Sequence, residues 1–138
     1  MEAAERRRPG EWGPGPGVPS GVHDIPPAVV DSFAVPGALE IPVCASIISK
    51  KKIYDAIIAI GAVIKGETYH FELVANECGR GCMNVALESG TPVIFEVLCV
   101  NNIRQAKARA GNNDKNKGIE AAITALKMLQ VLFQVKAK

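Results

Sequence analysis

The chain has 138 residues and a formal net charge of +2, with 48% hydrophobic and 22% charged side chains. This length predicts one domain with a core of its own, and the composition is that of an ordinary soluble globular protein. The low net charge and the low aromatic content of 5% argue against nucleic-acid binding. No uninterrupted apolar run approaches the roughly 20 residues that span a bilayer, so we expect no membrane protein.

Residues 1–27 differ in composition from the rest of the chain, because they hold six of its nine prolines and five of its thirteen glycines. Such a segment buries too little apolar surface to offset its ordering entropy, so we predict that it is disordered. The folded domain is then predicted to span residues 28–138. Arg6-Arg7-Arg8 is followed by no apolar segment, and we therefore expect no secretory signal peptide.

Apolar patterns predict the first elements of this domain. Ala28–Val35 is apolar enough for a short strand, which Pro36 ends. Helical spacing follows from Ile41 to Ile48, and Pro42 is tolerated there because the N–H that it lacks is not needed in a first turn.

Two apolar runs predict buried strands, with a helix between them. Tyr54–Ile64 is apolar along nearly its whole length, as in a central strand of a parallel sheet with both faces covered. An amphipathic helix is predicted from about His70 to Ser89, and Gly90 suits its C-terminal cap. Val93–Val100 predicts the second buried strand.

Two further helices are predicted, Ile103–Ala110 and one with apolar residues at helical spacing from Ile119 to Phe133. Repeated strand-helix units indicate an α/β protein with a parallel sheet and right-handed crossovers. The predicted architecture is a three-layer α/β/α sandwich, with helices on both faces of the sheet.

The chain contains four cysteines, whose spacing fits neither a disulfide framework nor a common zinc pattern. Cys78 and Cys82 are four residues apart and would share one helix face, so a metal pair is one interpretation. No second pair completes a site, and buried thiols acting as small hydrophobic side chains are the favoured interpretation. We therefore expect no metal, and a reducing, cytoplasmic compartment. The four are Cys44, Cys78, Cys82 and Cys99.

Residues with useful chemistry follow the predicted strands. In open α/β sheets, ligands bind outside the carboxyl ends of strands, where helix N-termini present free N–H groups. Glu40, His70 and Arg109 lie in or after such connections, but each has a plainer interpretation. A loop histidine need have no role, an acidic residue at a helix start favours the helix dipole, and an arginine on a helix is commonly solvated. No dinucleotide, phosphate-loop or nucleophile-elbow motif occurs, so the pattern alone indicates an anion site and no reaction.

Five blocks of sequence resemble the 6,7-dimethyl-8-ribityllumazine synthase family, in the family's order and spacing. The resemblance implies a flavodoxin-like fold and a transferase of riboflavin biosynthesis that uses no metal or organic cofactor. The implied reaction condenses 5-amino-6-(D-ribitylamino)uracil with 3,4-dihydroxy-2-butanone 4-phosphate to 6,7-dimethyl-8-ribityllumazine. The blocks, within about residues 28 to 132, are Val35–Pro42, Ala59–Glu72, Pro92–Phe95, Gln105–Gly111 and Asn116–Gly118.

The same resemblance implies roles for particular residues. His70 would transfer protons, which suits an imidazole that titrates near neutrality. The phosphate would be held by Glu67, Thr68, Arg109 and Lys117. The uracil and ribityl groups would be bound by Ala38, Leu39, Glu40, Ala62, Val63, Ile64 and Phe95.

The family's sites lie between neighbouring subunits, and Phe95 and Arg109 would come from the adjacent chain. We therefore expect a homo-oligomer, either a pentamer or a shell of twelve pentamers. The expected ligands are small-molecule substrates, with neither nucleic acid nor membrane as a partner.

Three departures from the family's pattern accompany the resemblance. The family's first strand and helix, with an aromatic residue that stacks on the uracil, have no visible counterpart here. Glu96 stands where the family has glycine, and Asn113 where a lysine is common. These departures keep two alternatives open: an inactive, truncated relative with only an assembly role, and a binding module for a phosphorylated or flavin-like ligand.

Overall fold

A computed structural model of the chain describes residues 30–138. Residues 35–138 form one compact unit. The predicted disorder of residues 1–27 and the predicted loss of the family's first strand and helix concern residues outside this range. The elements are one turn of 3₁₀ helix, Ala38–Glu40, followed by α1 Ile41–Lys50, β1 Ile57–Ile64, α2 His70–Ser89, β2 Val93–Val100, α3 Ile103–Ala110 and α4 Lys117–Lys136.

Three elements, α2, β2 and α3, have the bounds predicted from the sequence. Local caps mark the end of α2 and the start of α3. Gly90 follows α2 with a φ of +70°, in the left-handed region that glycine adopts without strain, and its N–H donates to Ala86 O at 3.0 Å. Asn102 begins α3, because its side-chain oxygen accepts a hydrogen bond from Gln105 N at 3.0 Å. Such signals lie within a few residues of the boundary that they set.

The predicted strand Ala28–Val35 is wrong for the part that the structure describes. Val30–Val35 contains neither strand nor helix, and Ala28 and Val29 lie outside the described residues. A strand needs a neighbouring backbone to accept and donate its hydrogen bonds. A short apolar pattern cannot supply that neighbour.

The described residues form a two-stranded parallel sheet of β1 and β2. The strands pair in register from Ile57 opposite Val93 to Ile64 opposite Val100. Lys65 N extends the ladder beyond β1 by donating to Val100 O at 2.8 Å. The carboxyl ends of both strands therefore lie at the same edge of the sheet.

Helices lie on the two faces of the sheet in three layers, as the sequence predicted. On one face, α1 and α2 pack against each other and against both the sheet and its core, which contains Ala59 and Val97. On the other side, α3 and α4 contact each other and both strands. Glu96, adjacent to Val97 and so on the opposite face, interacts electrostatically with Lys117 of α4. The fold is α/β and flavodoxin-like in class, with a parallel sheet.

The prediction that β1 is a buried central strand is wrong within residues 30–138. Ile60 is 68% exposed, and Ile58 and Ile64 on the same face are also exposed. β1 pairs with β2 along one edge only in the part of the chain that the structure describes. A continuous apolar run shows that both sides of a strand are apolar, but it does not show which neighbour covers them.

Candidate active site

The predicted proton-transfer residue lies at the carboxyl end of β1. After Ile64, a turn that contains Glu67 and Thr68 leads directly into α2, whose first residue is His70. Glu67, Thr68 and His70 are all exposed. The preceding residue, Tyr69, makes no side-chain hydrogen bond to the start of α2, so it leaves the first N–H groups of the helix uncapped. This arrangement suits an anion at the helix N-terminus.

Glu72, one turn into α2, is an acidic residue beside this edge. Its Oε1 lies 3.8 Å from Lys65 Nζ, which closes the turn between β1 and α2. Its Oε2 is shielded from solvent and has no hydrogen-bond partner among the described residues. The amphipathic pattern of α2 gave no sign that one oxygen of Glu72 would be buried.

The 3₁₀ turn Ala38–Glu40 contacts both β1 and α2. Ala38 and Val63 pack together against the core cluster. The Glu40 carboxylate folds back over Gly37, so that a Cβ atom at Gly37 would lie 2.7 Å from Glu40 Oε2. The structure therefore brings the predicted substrate residues Ala38–Glu40 against β1 and α2.

The residues at the end of β1 do not share one face. Successive side chains of a strand point to opposite sides of the sheet. Val63 points towards α1 and α2, whereas Ala62 and Ile64 lie on the face of the exposed Ile60. A pocket on either face of this strand contacts only part of the predicted set Ala62–Ile64.

Phe95 lies far from this edge within one chain. It pairs with Ala59, whereas Ile64 is five residues farther along β1, or about 16 Å at 3.3 Å per residue. Its ring faces α2, where a Cβ atom at Gly79 would meet it at 3.7 Å, and Phe95 remains 38% exposed. The chain's own Phe95 therefore cannot close over a ligand at the end of β1.

Two of the predicted phosphate residues lie together elsewhere, in a pocket of about 310 Å³ between α3, the following loop and the start of α4. We call it the cationic pocket. Arg109 lies at the end of α3, where its Nη1 donates to Gln105 O at 3.2 Å. Glu67 and Thr68 do not line this pocket. Its lining residues are Ala108, Arg109, Lys115, Lys117 and Glu120.

Carboxylates accompany the cations of this pocket. Lys117 Nζ donates to Glu120 Oε2 at 2.6 Å, and this hydrogen bond raises the pKa of Lys117. Burial raises the pKa of the Glu96 carboxyl, and the positive charge of Lys117 partly opposes that rise. The pocket therefore carries positive charge that nearby carboxylates partly neutralise.

The sequence patterns assigned no role to Lys115 or Glu120. Lys115 sits in a loop that Asn113 orders, since Asn113 Oδ1 accepts from Lys115 N at 2.8 Å. Glu120 stands three residues after Lys117 on α4, a spacing at which opposite charges meet on a helix. That spacing was a usable signal for the ion pair.

A family model for 6,7-dimethyl-8-ribityllumazine synthase matches residues 21–132 of this chain. The chain belongs to the lumazine synthase family. The family is one of transferases, and membership indicates a role in riboflavin biosynthesis. The match contains all five resembling blocks and begins before Ala28, where the folded domain was predicted to start.

The cysteines of this lumazine synthase family member are free thiols. Cys78 and Cys82 are 0% and 1% exposed in the core, which confirms for this pair the interpretation as small hydrophobic side chains. Burial raises the pKa of Cys82 to about 12, so it is a neutral thiol at physiological pH. Cys99, in contrast, is exposed. Residues 30–138 hold no group of three or more His, Cys, Asp or Glu side chains placed to bind a metal ion.

One helix of the described chain, α4, is long and apolar enough to cross a membrane by length and composition, with a mean hydropathy of 1.3. Glu120 and Lys127 interrupt its apolar pattern, so it is not an uninterrupted apolar run of the kind that the sequence analysis found to be missing. A single such helix is weak evidence for a membrane span, since helices of soluble proteins pass the same test. The lumazine synthase match covers α4 up to residue 132.

Proposed function

We propose that this chain catalyses the condensation of 5-amino-6-(D-ribitylamino)uracil with 3,4-dihydroxy-2-butanone 4-phosphate to 6,7-dimethyl-8-ribityllumazine. The observation that carries the proposal is the family match over residues 21–132, which includes every residue for which the family implies a role. The fold supports it, because Ala38–Glu40 contacts β1 and α2, and His70 begins α2 after the carboxyl end of β1.

In the proposed reaction, the primary amine of the uracil attacks the ketone and forms an imine with loss of water. Phosphate then leaves by elimination, and the ribitylamino nitrogen closes the ring on the remaining carbonyl with loss of a second water, which gives the lumazine. His70 transfers protons during these steps, a task that suits imidazole because it gains and loses a proton near neutral pH. Glu40 accepts hydrogen bonds from substrate hydroxyls, and Arg109 and Lys117 neutralise the phosphate.

We propose further that the site forms between copies of the chain. The separation of about 16 Å along the sheet between Phe95 and Ile64 supports this, since one chain cannot bring both to one substrate. Exposed apolar side chains on two elements, β1 and α4, also suit contact with a second copy. Examples are Ile60, Ile119, Ile123 and Val131. We expect a homo-oligomer, a pentamer or a shell of pentamers, and a cytoplasmic location, which the free thiols support.

The direct test of the proposed reaction mixes the purified full-length protein with both substrates and follows lumazine absorbance above the uncatalysed rate. His70→Ala should lower the catalysed rate by about 100-fold or more, because a positioned acid-base group contributes that much. His23→Ala is the matched control, since it removes the chain's other histidine, and it should leave the rate unchanged. Equal rates for wild type and His70→Ala would refute the role of His70.

A mixing experiment tests whether the site lies between chains. His70→Ala and Arg109→Gln are each purified, unfolded, combined in equal amounts and refolded together. If each site takes His70 from one chain and Arg109 from another, about a quarter of the sites regain both native residues. Activity no higher than the average of the two separate variants would show that both residues act from one chain.

A second candidate is an inactive relative that keeps only an assembly role. The carboxylates of Glu96 and Glu120 beside Lys117 favour it, because they oppose phosphate binding. A homogeneous oligomer on sizing, without lumazine formation, would support this alternative. Catalysed lumazine formation would exclude it.

A further inference from the structure

An ion pair joins the end of β1 to the first turn of α2. Lys65 directly follows β1, and its Nζ lies 3.8 Å from Oε1 of Glu72 in α2. Between the two partners lie residues 66–70, which we call the site turn. The site turn contains three residues for which the family implies a role: Glu67, Thr68 and His70. Because the pair spans this turn, it limits how far the turn can move relative to the strand.

The position of this ion pair in the fold distinguishes it from other ion pairs of the chain. Lys117–Glu120 and Arg80–Glu77 each lie within one helix, at a spacing of three residues. Such pairs restrain only the helix that carries them. Lys65 and Glu72 belong to different parts of the fold, so the loss of their contact changes the freedom of a connection.

Both ends of the Lys65–Glu72 pair are anchored. Lys65 is tied to β2, since its backbone N–H donates to Val100 O at 2.8 Å. Glu72 Oε2 is shielded from solvent and has no hydrogen-bond partner within residues 30–138. A shielded carboxylate oxygen without a partner costs free energy unless a cation lies close to it. Lys65 is the cation that the structure places beside this carboxylate.

We propose that Glu72 is a positioning residue for His70, because its ion pair with Lys65 holds the site turn in one arrangement. The inference rests on the proposed function for the reaction that His70 serves. Proton transfer needs the imidazole within hydrogen-bonding distance of the reacting atoms. A turn that moves more freely spends less time in the productive arrangement, and the rate falls with that fraction. Glu72 touches no substrate and acts through the site turn alone.

The first experiment measures steady-state lumazine formation by the full chain. Glu72→Gln removes the charge and keeps the size of the side chain. It should lower kcat by about three- to fivefold, the population change expected when an ion pair of this exposure is lost. The KM for the uracil substrate should stay unchanged, because its predicted contacts Ala38–Glu40 lie on another element. The matched control is Glu77→Gln, which breaks the pair with Arg80 in the same helix and should leave kcat unchanged.

A double substitution tests the route through Lys65. Lys65→Met removes the cation and should also lower kcat. Combining it with Glu72→Gln should lower kcat no further than the larger of the two single effects, because both substitutions break the same pair. If Glu72 acted instead on the dipole of α2, its effect would persist in the Lys65→Met background. Effects that multiply in the double variant would therefore overturn the inference.

Amide hydrogen exchange gives a second readout, which does not depend on catalysis. Leu73 N donates to Tyr69 O at 3.2 Å, so exchange at the Leu73 amide reports how often the end of the site turn opens. Exchange there should be about three- to fivefold faster in Glu72→Gln and in Lys65→Met than in wild type. It should be unchanged in Glu77→Gln.

The outcomes separate a positioning role from a structural one. If Glu72→Gln loses stability in urea but keeps the kcat of wild type, the role is only structural and the inference is overturned. An equal loss of kcat in Glu77→Gln would overturn it as well. Should Glu72→Gln fail to fold, an unchanged kcat in Lys65→Met would overturn the inference, since the Lys65 side chain is half exposed and tolerates substitution.

The same measurements separate this inference from the proposed function. Lumazine formation by wild type with an unchanged kcat in Glu72→Gln refutes this inference alone. Absence of lumazine formation by wild type refutes the proposed function. In that case, faster exchange at Leu73 in Glu72→Gln would still support the restraint of the site turn by Glu72, and unchanged exchange would overturn it.

Discussion

The contact between α1 and α2 depends on a glycine and so offers a sharp test of the fold. A Cβ atom at Gly81 would lie 2.7 Å from both Cβ and Cγ of Pro42, much closer than the separation of carbon atoms in contact. Gly81 therefore allows α2 to approach the first turn of α1. Gly79 in the same helix is a matched control, since a Cβ atom there meets the Phe95 ring at an ordinary 3.7 Å.

The expected energies follow from two opposing effects. Replacing glycine by alanine inside a helix stabilises it by about 1 kcal/mol, and both variants gain this amount. Gly81→Ala also forces Pro42 or the backbone of α2 to move, which costs about 1–3 kcal/mol. We therefore expect Gly79→Ala to raise the free energy of unfolding by about 1 kcal/mol and Gly81→Ala to lower it by up to about 2 kcal/mol.

Urea unfolding followed by far-ultraviolet circular dichroism measures both variants at one protein concentration, because assembly would make stability concentration-dependent. The difference between the variants cancels the helix propensity and reports the contact alone, about 1–3 kcal/mol. If Gly81→Ala proves as stable as Gly79→Ala, the close approach of α1 and α2 is wrong. The position of the 3₁₀ turn, which Pro42 follows closely, would then be wrong as well.

Two further predictions concern the cationic pocket. Asn116 Oδ1 accepts from Ile119 N at 3.0 Å and its Nδ2 donates to Gly111 O at 2.8 Å, so Asn116→Ala should lower the free energy of unfolding in urea by about 1–2 kcal/mol. Asn102→Ala, which removes a cap with one such bond, should cost less, and the reverse order would contradict this assignment. Because burial raises the pKa of Glu96, stability should fall as pH rises from its ordinary value of 4.5 through the native pKa. Glu96→Gln should flatten that part of the stability profile and be the more stable protein above it; parallel profiles would refute the burial of Glu96.

Sequence patterns predicted elements well where the deciding contacts are local. The bounds of α2 follow from an amphipathic stripe and Gly90, and those of α3 from the cap at Asn102. Each of these signals lies within one helical turn of the boundary that it determines. The apolar run of β2 needed only its flanking turn residues to be delimited.

Predictions failed where the deciding contact is distant in sequence. The apolar character of Val30–Val35 could not indicate whether another strand pairs with it. The run of β1 predicted two covered faces, but the exposed Ile60 shows that coverage depends on which surfaces meet it. Both failures concern which other segment contacts the strand. Neither concerns the apolar character of the strand's own side chains.

The same distinction between local and distant contacts applies to the candidate site. Family resemblance assigned roles to Phe95, Arg109 and Lys117, yet residues alone could not show which of them meet within one chain. The parallel register answers part of that question, because it separates Phe95 from the end of β1. Strand alternation answers another part, since it directs Phe95 towards α2 and Glu96 towards α4.

The cationic pocket and His70 are separate parts of the candidate site, and this affects how a loss of activity is interpreted. Every residue that lines the cationic pocket comes from α3, α4 and the loop between them in a single chain. Phosphate binding can therefore survive dissociation of an oligomer, whereas the proposed reaction also needs His70 at the end of a β1 strand. Loss of lumazine formation on dilution would then report separation of the chains and not damage to the pocket. Phosphate affinity measured at the same dilution distinguishes these two causes, because only damage to the pocket would lower it.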